Sequence, residues 1–380
     1  MEKIIKLTGR IDSANAAETE QKILQEIGDF DGELMLDADA LEYISSAGLR
    51  VILRLKKSNN TTKVINCNSE VYEIFDMTGF TEMMDISKAY RKLSIEGCEV
   101  IGEGANGIVY RTDPDTIVKV YKSPDSLAEI HNERELARKA FVMGIPTAIP
   151  YDVVKVGDLY GSVFELLDAK SFAQLINEGE SVDALAKASV DILKTIHSTT
   201  LKPGELPSKK TEAIGWAEYC LPYLPEETGA KLVELFKAIP ETDTMLHGDY
   251  HIKNIMQQNG ENLLIDMDTL AMGHPIYEFA AIYAAYKGFS CVDKENCSRF
   301  LGISTENCVA FLDATFKYYF EGTDVSFDDV VKMSEIICYT RVLRRQIKRF
   351  GIDSAEHKPT IDFCKDYLIK TVPTTDKLYF

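Results

Sequence analysis

The chain has no uninterrupted apolar run approaching the roughly 20 residues that a helix needs to cross a bilayer, so nothing in it reads as a membrane span. Its opening, MEKIIKLTGRID, holds two lysines but no long apolar core and no small-residue cleavage site, and so is not a secretory signal. Positive charge is scarce. With 42 Lys and Arg against 60 Asp and Glu, the formal net charge is -18, a balance that repels nucleic-acid phosphates and anionic membranes and excludes both as expected partners. None of the eight cysteines (Cys67, Cys98, Cys220, Cys291, Cys297, Cys308, Cys338 and Cys364) stands in a C-x-x-C pair. That pattern argues against a zinc site or disulfide framework and for reduced thiols in a cytoplasm. A flexible linker is lacking too. Ser87 to Leu93, SKAYRKL, joins the two halves without a Gly, Pro or Ser-rich tract, so the domains are expected to be packed together.

What is present is long enough, at 380 residues, for two or three domains with sizeable cores. The first ninety residues alternate strand and helix. Lys3 to Ile11 reads as a strand, Ala16 to Ile27 as a helix and Glu33 to Ile44 as containing a strand. Ser45-Ser46-Ala47-Gly48 then opens a helix whose Leu49, Ile52, Leu53 and Leu55 would face the sheet. A strand (Lys63 to Asn66), a short helix (Val71 to Met77) stopped by Gly79 and a last extended piece (Met83 to Ile86) complete the pattern. Strands alternating with crossover helices imply an α/β layer.

This segment resembles the STAS domain of bacterial anti-sigma factor antagonists, through LTGRIDSANA, LEYISSAGLRVILRLKK and IFDMTGF. The resemblance puts Ser46 at the phosphoacceptor position of that family and implies a protein partner at the STAS surface. A phosphate at a helix N-terminus would gain from free N–H groups and the helix dipole. Ser45 and Ser46 also suit plain helix capping, and both readings stand at this stage.

From Ser94 the pattern turns to β-hairpins. Gly102, Gly104 and Gly107 form G-x-G-x-x-G, and Asp113-Pro114-Asp115 returns the chain into Ile117 to Tyr121. Glycines let a backbone approach phosphate oxygens closely. In a dinucleotide fold such a loop would open a helix; lying between strands, it fits a kinase glycine loop. Lys119 sits within the apolar alternation and is the expected nucleotide-phosphate lysine, with Lys122 as its rival. On the following helix, Leu127 to Met143, Glu133 shares a face with Leu136, Ala137, Ala140 and Phe141 and is the expected ion-pair partner; Glu135 is the alternative. The backbone of Glu165 and Leu167 would meet the edge of an adenine.

The stretch that speaks most directly of chemistry is Thr244 to Asp268, TMLHGDYHIKNIMQQNGENLLIDMD. Phosphoryl transfer needs a carboxylate to orient and deprotonate the attacking hydroxyl, and an amide and a second carboxylate to hold metal. Asp249, Asn254 and Asp266 fill those roles, with Asn262 to Asp266 read as a short buried strand delivering its carboxylate at the end. Asp268 is either a substrate residue or a surface carboxylate. Late in the chain Arg341, Arg344, Arg345, Lys348 and Arg349 make a basic cluster at helical spacing, read as a solvated face or an anion site.

The glycine loop, Lys119, ILKTIHS, HGDYHIKN and LLIDMD together resemble the aminoglycoside phosphotransferase and choline kinase group of protein-kinase-like enzymes, over residues 98 to about 285. The resemblance implies Asp249 as base, Asn254 and Asp266 as Mg2+ ligands, Lys119 and the three glycines on ATP, and a hydroxyl acceptor. His251 stands where ordinary protein kinases have Lys. The expected architecture is an α/β STAS domain (1–90), then an α+β two-lobed protein-kinase-like fold with an N-lobe (94–168) and a helical C-lobe (169–380). The expected activity is small-molecule phosphotransfer with a regulatory STAS module. Its alternative is a partner-switching regulator whose kinase-like half phosphorylates a protein serine, Ser46 among them, or serves as a pseudokinase scaffold. An acidic chain suits a cationic acceptor such as an aminoglycoside or choline; choline-type recognition would need an aromatic cage, to which Tyr250, Tyr277 and Tyr283 could contribute.

Overall fold

A computed structural model describes residues 2–104, 106–148 and 150–380; Ala105, within the glycine loop, lies outside them. The chain divides into two compact units, one of residues 1–110, 118–124 and 152–163, the other of residues 111–117, 125–151 and 164–380.

In the first unit β1 (Glu2–Ile11), α1 (Ala16–Ile27), β2 (Glu33–Ile44), α2 (Ser46–Ser58), β3 (Lys63–Cys67), α3 (Ser69–Met77), the single turn α4 (Phe80–Met83) and β4 (Ile86–Lys88) follow in order. The four strands form one parallel sheet in the order β1-β2-β3-β4. Parallel neighbours need crossovers, and the helices supply them. Leu34, Leu36 and Ala38 of β2 are fully buried against Val51, Ile52 and Leu55 of α2 and Val71 and Phe75 of α3 in one core. Val51, not Leu53, completes the inward face of α2. Leu53 is only partly buried, because the stripe through Gly48, Val51, Ile52 and Leu55 follows three- and four-residue steps that pass it by.

The extended piece expected at Met83 to Ile86 is displaced. Gly79, at φ 75°, does not simply stop α3 but turns the chain into α4, whose Phe80 packs on Phe75 with ring centroids 5.8 Å apart, so the strand begins only at Ile86.

Two residues later a further strand appears where the sequence suggested none. β5 (Arg91–Lys92) pairs in parallel with β9 (Asp152–Val156), Arg91 opposite Val154 and Lys92 opposite Lys155. Arg91 is 3.1 Å from the Asp152 carboxylate, the Leu93 amide donates to the Lys155 carbonyl, and the Tyr90 ring meets Tyr160 at 5.3 Å. The remaining strands are β6 (Glu99–Glu103), β7 (Gly107–Asp113), β8 (Thr116–Tyr121) and β10 (Leu159–Glu165), in the sheet order β5-β9-β10-β8-β7-β6. Its core is a valine cluster, Val118, Val120, Val154, Val156 and Val163, with Leu93 and Ile95 packed on it.

The second unit holds α5 (Leu127–Val142), then β11 (Lys170–Ser171), α6 (Phe172–Asn177), α7 (Val182–Ser198), α8 (Lys209–Cys220) and α9 (Glu226–Ala238). Short strands β12 (Met245–Leu246), β13 (Ile255–Gln258), β14 (Glu261–Leu264) and β15 (Ala271–Met272) precede α10 (Ile276–Tyr286), α11 (Asn296–Leu301), α12 (Thr305–Phe320), α13 (Phe327–Phe350) and α14 (Lys358–Thr371). The loop before α8 ends at Ser208, whose Oγ accepts from the Thr211 amide and caps the helix. Lys209 and Lys210 are therefore helical. Among the described residues no helix is long and apolar enough to cross a membrane.

A Cβ placed on Gly48 would lie 2.6 Å from Ile44 Cγ1 and 2.9 Å from the Ile11 carbonyl oxygen. Gly48→Ala should therefore lower stability by about 1–3 kcal/mol through overpacking, read as a lower thermal midpoint. An unchanged midpoint would mean that β1 and β2 give way freely.

Candidate active site

The candidate residues after His247 are gathered by a hairpin. β13 and β14 pair antiparallel from Ile255 opposite Leu264 to Gln258 opposite Glu261, joined by Asn259 and Gly260 at φ 51° and 83°. Positive φ at both central residues is the two-residue turn whose twist matches paired strands, and Asn-Gly is its preferred sequence. Closing the hairpin brings Asn254, just before β13, beside Ile265, just after β14, and the Ile265 amide donates to the Asn254 carbonyl at 3.0 Å. Asp266 follows at once, exposed and at φ 65°. The strand expected to be buried to its end is thus shorter than read. It stops at Leu264, the fully buried member, and Asp266 leaves it on a left-handed turn.

Asp249 is tied to the same end. Its carbonyl accepts from Asn254 Nδ2 at 3.0 Å, which commits the amide nitrogen and leaves Oδ1 as the acceptor atom. Across this loop runs the segment after Asp266. Thr269 Oγ1 donates to the His247 carbonyl at 2.7 Å, and a Cβ on Gly248 would stand 2.4 Å from the Thr269 carbonyl oxygen. With φ at 84° as well, Gly248 admits no side chain. Two hydroxyls fasten the rest: Tyr250 donates to the Ser189 carbonyl at 2.7 Å, and Tyr286 accepts from the Ile252 amide at 3.0 Å.

The anchor of the loop is Glu278, a residue the sequence reading did not single out. It is completely buried in the first turn of α10, and its two oxygens accept the His247 amide at 2.6 Å and the Gly248 amide at 3.0 Å. An acidic residue in the first turn of the otherwise apolar IYEFAAIYAAY was the available signal. Burial pushes its carboxyl up, but the imidazoles of His197 and His247 and the His247 amide outweigh that and hold it below the ordinary 4.5. His197 Nε2 lies 3.8 Å from Glu278, and its Nδ1 shares a 2.7 Å hydrogen bond with the Tyr319 hydroxyl. His197, on α7, is a hydrogen-bonder of the core. Burial lowers His247, keeping it neutral near pH 7.

Asp249 itself remains open, its side chain 45% exposed, with His251 Nε2 3.5 Å from Oδ2. Burial raises its carboxyl; His251, His247 and Arg341 more than reverse this, so it is ionised and able to accept a proton. The expected aromatic cage is not available. Tyr250, Tyr277 and Tyr283 are 2%, 4% and 1% exposed, and the Tyr283 hydroxyl is bound to Glu335, so they are core residues.

In the first unit the Gly104 amide donates to the Gly107 carbonyl, and a Cβ on Gly107 would meet the Val120 carbonyl oxygen at 2.7 Å. Gly102 has only Val109 at ordinary contact distance. Lys119 is half-buried on β8, with Nζ 5.1 Å from the Tyr121 ring centroid. Its rival Lys122 is tied to Glu103 at 2.9 Å and the Gly104 carbonyl at 3.0 Å, as a staple of the loop. Ser45 Oγ caps α2 by accepting from the Ala47 amide, while Ser46, the first helical residue, is exposed.

In the second unit Glu133 is 4% exposed on the inner face of α5 with Ile130, Leu136, Ala137 and Ala140; Phe141, expected on that face, is 53% exposed. Glu135 is instead paired with Lys139 at 2.8 Å. The Leu166 amide is committed to the Asp115 carbonyl, between the Glu165 carbonyl and the Leu167 amide expected at an adenine edge.

Comparison with known proteins adds the family. The profile of the phosphotransferase enzyme family matches residues 97–306. The chain belongs to that phosphotransferase family. Residues 2–93 match the STAS domain. Over 87 residues the STAS half is 30% identical to the putative anti-sigma factor antagonist BtrV of Bordetella bronchiseptica, covering 22% of this chain and 75% of that protein. Among solved structures, the aminoglycoside phosphotransferase APH(2'')-Ib with ADP bound is 17% identical, at a TM-score of 0.50, over 81% of this chain and 99% of that one. A thermostable mutant of the aminoglycoside phosphotransferase APH(4)-Ia, in ternary complex with AMP-PNP and hygromycin B, is 13% identical at a TM-score of 0.52, over 73% and 95%. At these identities the likeness is one of fold. The phosphotransferase domain and the STAS domain are thus α+β kinase-like and parallel α/β, as the sequence patterns implied.

Glu278→Gln in this phosphotransferase keeps the shape but turns an N–H group towards a backbone amide, and should cost about 1.5–3 kcal/mol. Because the Glu278 carboxyl is held below 4.5, its stabilisation is complete above that value and is lost as pH falls through the lowered one. The variant should show a flatter acid limb in a plot of thermal midpoint against pH; parallel curves would contradict the assignment.

Proposed function

We propose that this phosphotransferase moves the γ-phosphoryl group of ATP to a hydroxyl of a small molecule, and that the STAS domain is a regulatory module. The observation that carries the reading is the hydrogen-bonded end of the hairpin, where Asp249, Asn254 and Ile265 are linked in series immediately before Asp266. The acceptor hydroxyl attacks the γ-phosphorus, the bond to the β–γ bridging oxygen breaks, ADP leaves, and Asp249 takes the proton. Its low pKa suits a group that orients the hydroxyl and receives the proton late. Lys119 and the glycine loop bind the nucleotide phosphates, and the backbone of Glu165 and Leu167 meets the adenine.

Asn254 Oδ1 and the Asp266 carboxylate are hard oxygen donors of the type Mg2+ takes, and the ion is typically completed by substrate phosphates and water. Among the described residues no cluster of three or more His, Cys, Asp or Glu side chains could hold a metal. The ion is therefore expected to arrive with the nucleotide, where it would neutralise charge on the migrating group.

Asp249→Ala should lower kcat by about 10²–10⁴-fold while leaving nucleotide affinity nearly unchanged, measured by ADP release and by titration with a non-hydrolysable analogue. Asp266→Ala should weaken Mg-nucleotide binding instead. Retained turnover in the Asp249 variant would sink the proposal.

A second reading rests on Ser46. The hydroxyl is exposed at the first position of α2, and the cap is already supplied by Ser45. A phosphate there would add nearly two negative charges to a binding face. Incubation with Mg-ATP followed by mapping of phosphoserine should show label at Ser46 if the kinase half acts on its own chain. Turnover without label at Ser45 or Ser46 would reject that version.

A further inference from the structure

We infer that the acceptor is an anionic molecule, a hydroxyl compound carrying a carboxylate or phosphate, and that Arg341 and Arg345 of α13 bind that group beside Asp249. This rests on the phosphotransferase reading and names the substrate class it leaves open.

The basic cluster of α13 is not one solvated face. Arg341 stacks at 5.6 Å on Trp216 and Arg345, one turn further, at 5.4 Å on Phe289, whereas Arg344 turns to Tyr219 at 6.0 Å. A guanidinium laid on a ring is held in place with its N–H fork free to meet an oxyanion.

Both rings lie on segments whose neighbouring residues are bonded to the loop or to the strand beside it. β12, which runs into His247, pairs with β15, and the Met272 amide of β15 donates to the Pro207 carbonyl just before α8, the helix of Trp216. Phe289 lies three residues beyond Tyr286, whose hydroxyl holds the Ile252 amide. Consistent with that placement, Arg341 is among the charges that lower Asp249, and Asp249 acts in turn on Arg345.

Among the described residues no carboxylate pairs with Arg341 or Arg345, in a chain with 60 acidic residues; neighbouring Lys209 and Lys210 are paired with Glu212 at 2.8 Å and Glu241 at 3.7 Å. Two unpaired cations beside the base would repel an ammonium-bearing acceptor and attract an acid. Tyr250, Tyr277 and Tyr283, buried as they are, offer no ring face to a quaternary ammonium.

The test uses the full chain with its nucleotide site saturated by Mg-AMP-PNP, and titrates inorganic phosphate at constant ionic strength. Saturable binding is expected, weakened about tenfold or more in Arg341→Gln and in Arg345→Gln, and unchanged in Arg344→Gln, which also controls for folding. Absence of saturable binding, or equal binding in all variants, overturns the inference. A turnover arm compares glycerate and glycerol phosphate, which separate carboxylate from phosphate, with glycerol and choline. Preference for either acid, with KM raised and kcat nearly kept in Arg345→Gln, supports it. Preference for choline overturns it and leaves the transferase standing, whereas turnover surviving Asp249→Ala would remove the transferase reading but not the anion site.

Discussion

Everything in the second half of this protein that bears on chemistry hangs from a buried carboxylate. Glu278 accepts two consecutive backbone amides, His247 and Gly248, from the loop that ends in Asp249. A charge with no solvent contact is costly unless its oxygens are filled and opposite charge is close. Here the two amides fill the oxygens, and the positive N-terminal end of α10 faces the charge. The same bonds satisfy main-chain groups that a tight turn would otherwise leave orphaned in the core. The loop and the helix are therefore mutually required, and Asp249 stands exposed at the end of a loop whose neighbouring groups are buried.

A second brace comes from sterics. Gly248 lies against the Thr269 carbonyl, so the segment that starts at Asp266 and the one that contains Asp249 cannot drift apart or together without a clash or a lost bond. Together with the Asn259-Gly260 hairpin this fixes three candidate groups relative to one another by main-chain contacts. Two hydroxyls add to this: Tyr250 of the loop reaches Ser189 on α7, and Tyr286 on α10 holds the Ile252 amide.

How far the sequence reveals such a site depends on how local the signal is. The helix Ala16–Ile27 and the turn at Asp113 to Asp115 were readable because periodicity and turn residues act over a few positions. The order of Asp249, Asn254 and Asp266 was readable because one short hairpin and the residues flanking it hold all three. Glu278 was not, since its partners lie 30 residues upstream and an isolated acid in an apolar helix announces no partner. Tyr250 and Tyr283 misled for the same reason: a tyrosine's hydroxyl can face a cation or a buried carbonyl, and only the packing decides. The basic residues of α13 looked uniform in sequence and were separated by which aromatic each one meets.

The strand β5 bears on how the two halves came to be one chain. Only Ala89 and Tyr90 separate it from the last strand of the STAS sheet, yet its partner is β9, and Leu93 and Ile95 belong to the valine core beyond. A cut at the boundary would not release two finished modules. It would strip the phosphotransferase sheet of its outer strand and bare the main chain of β9, an unprotected edge of the kind that recruits strands from other molecules. The junction is thus part of the enzyme's own fold, and the STAS domain is attached to a piece the enzyme cannot spare.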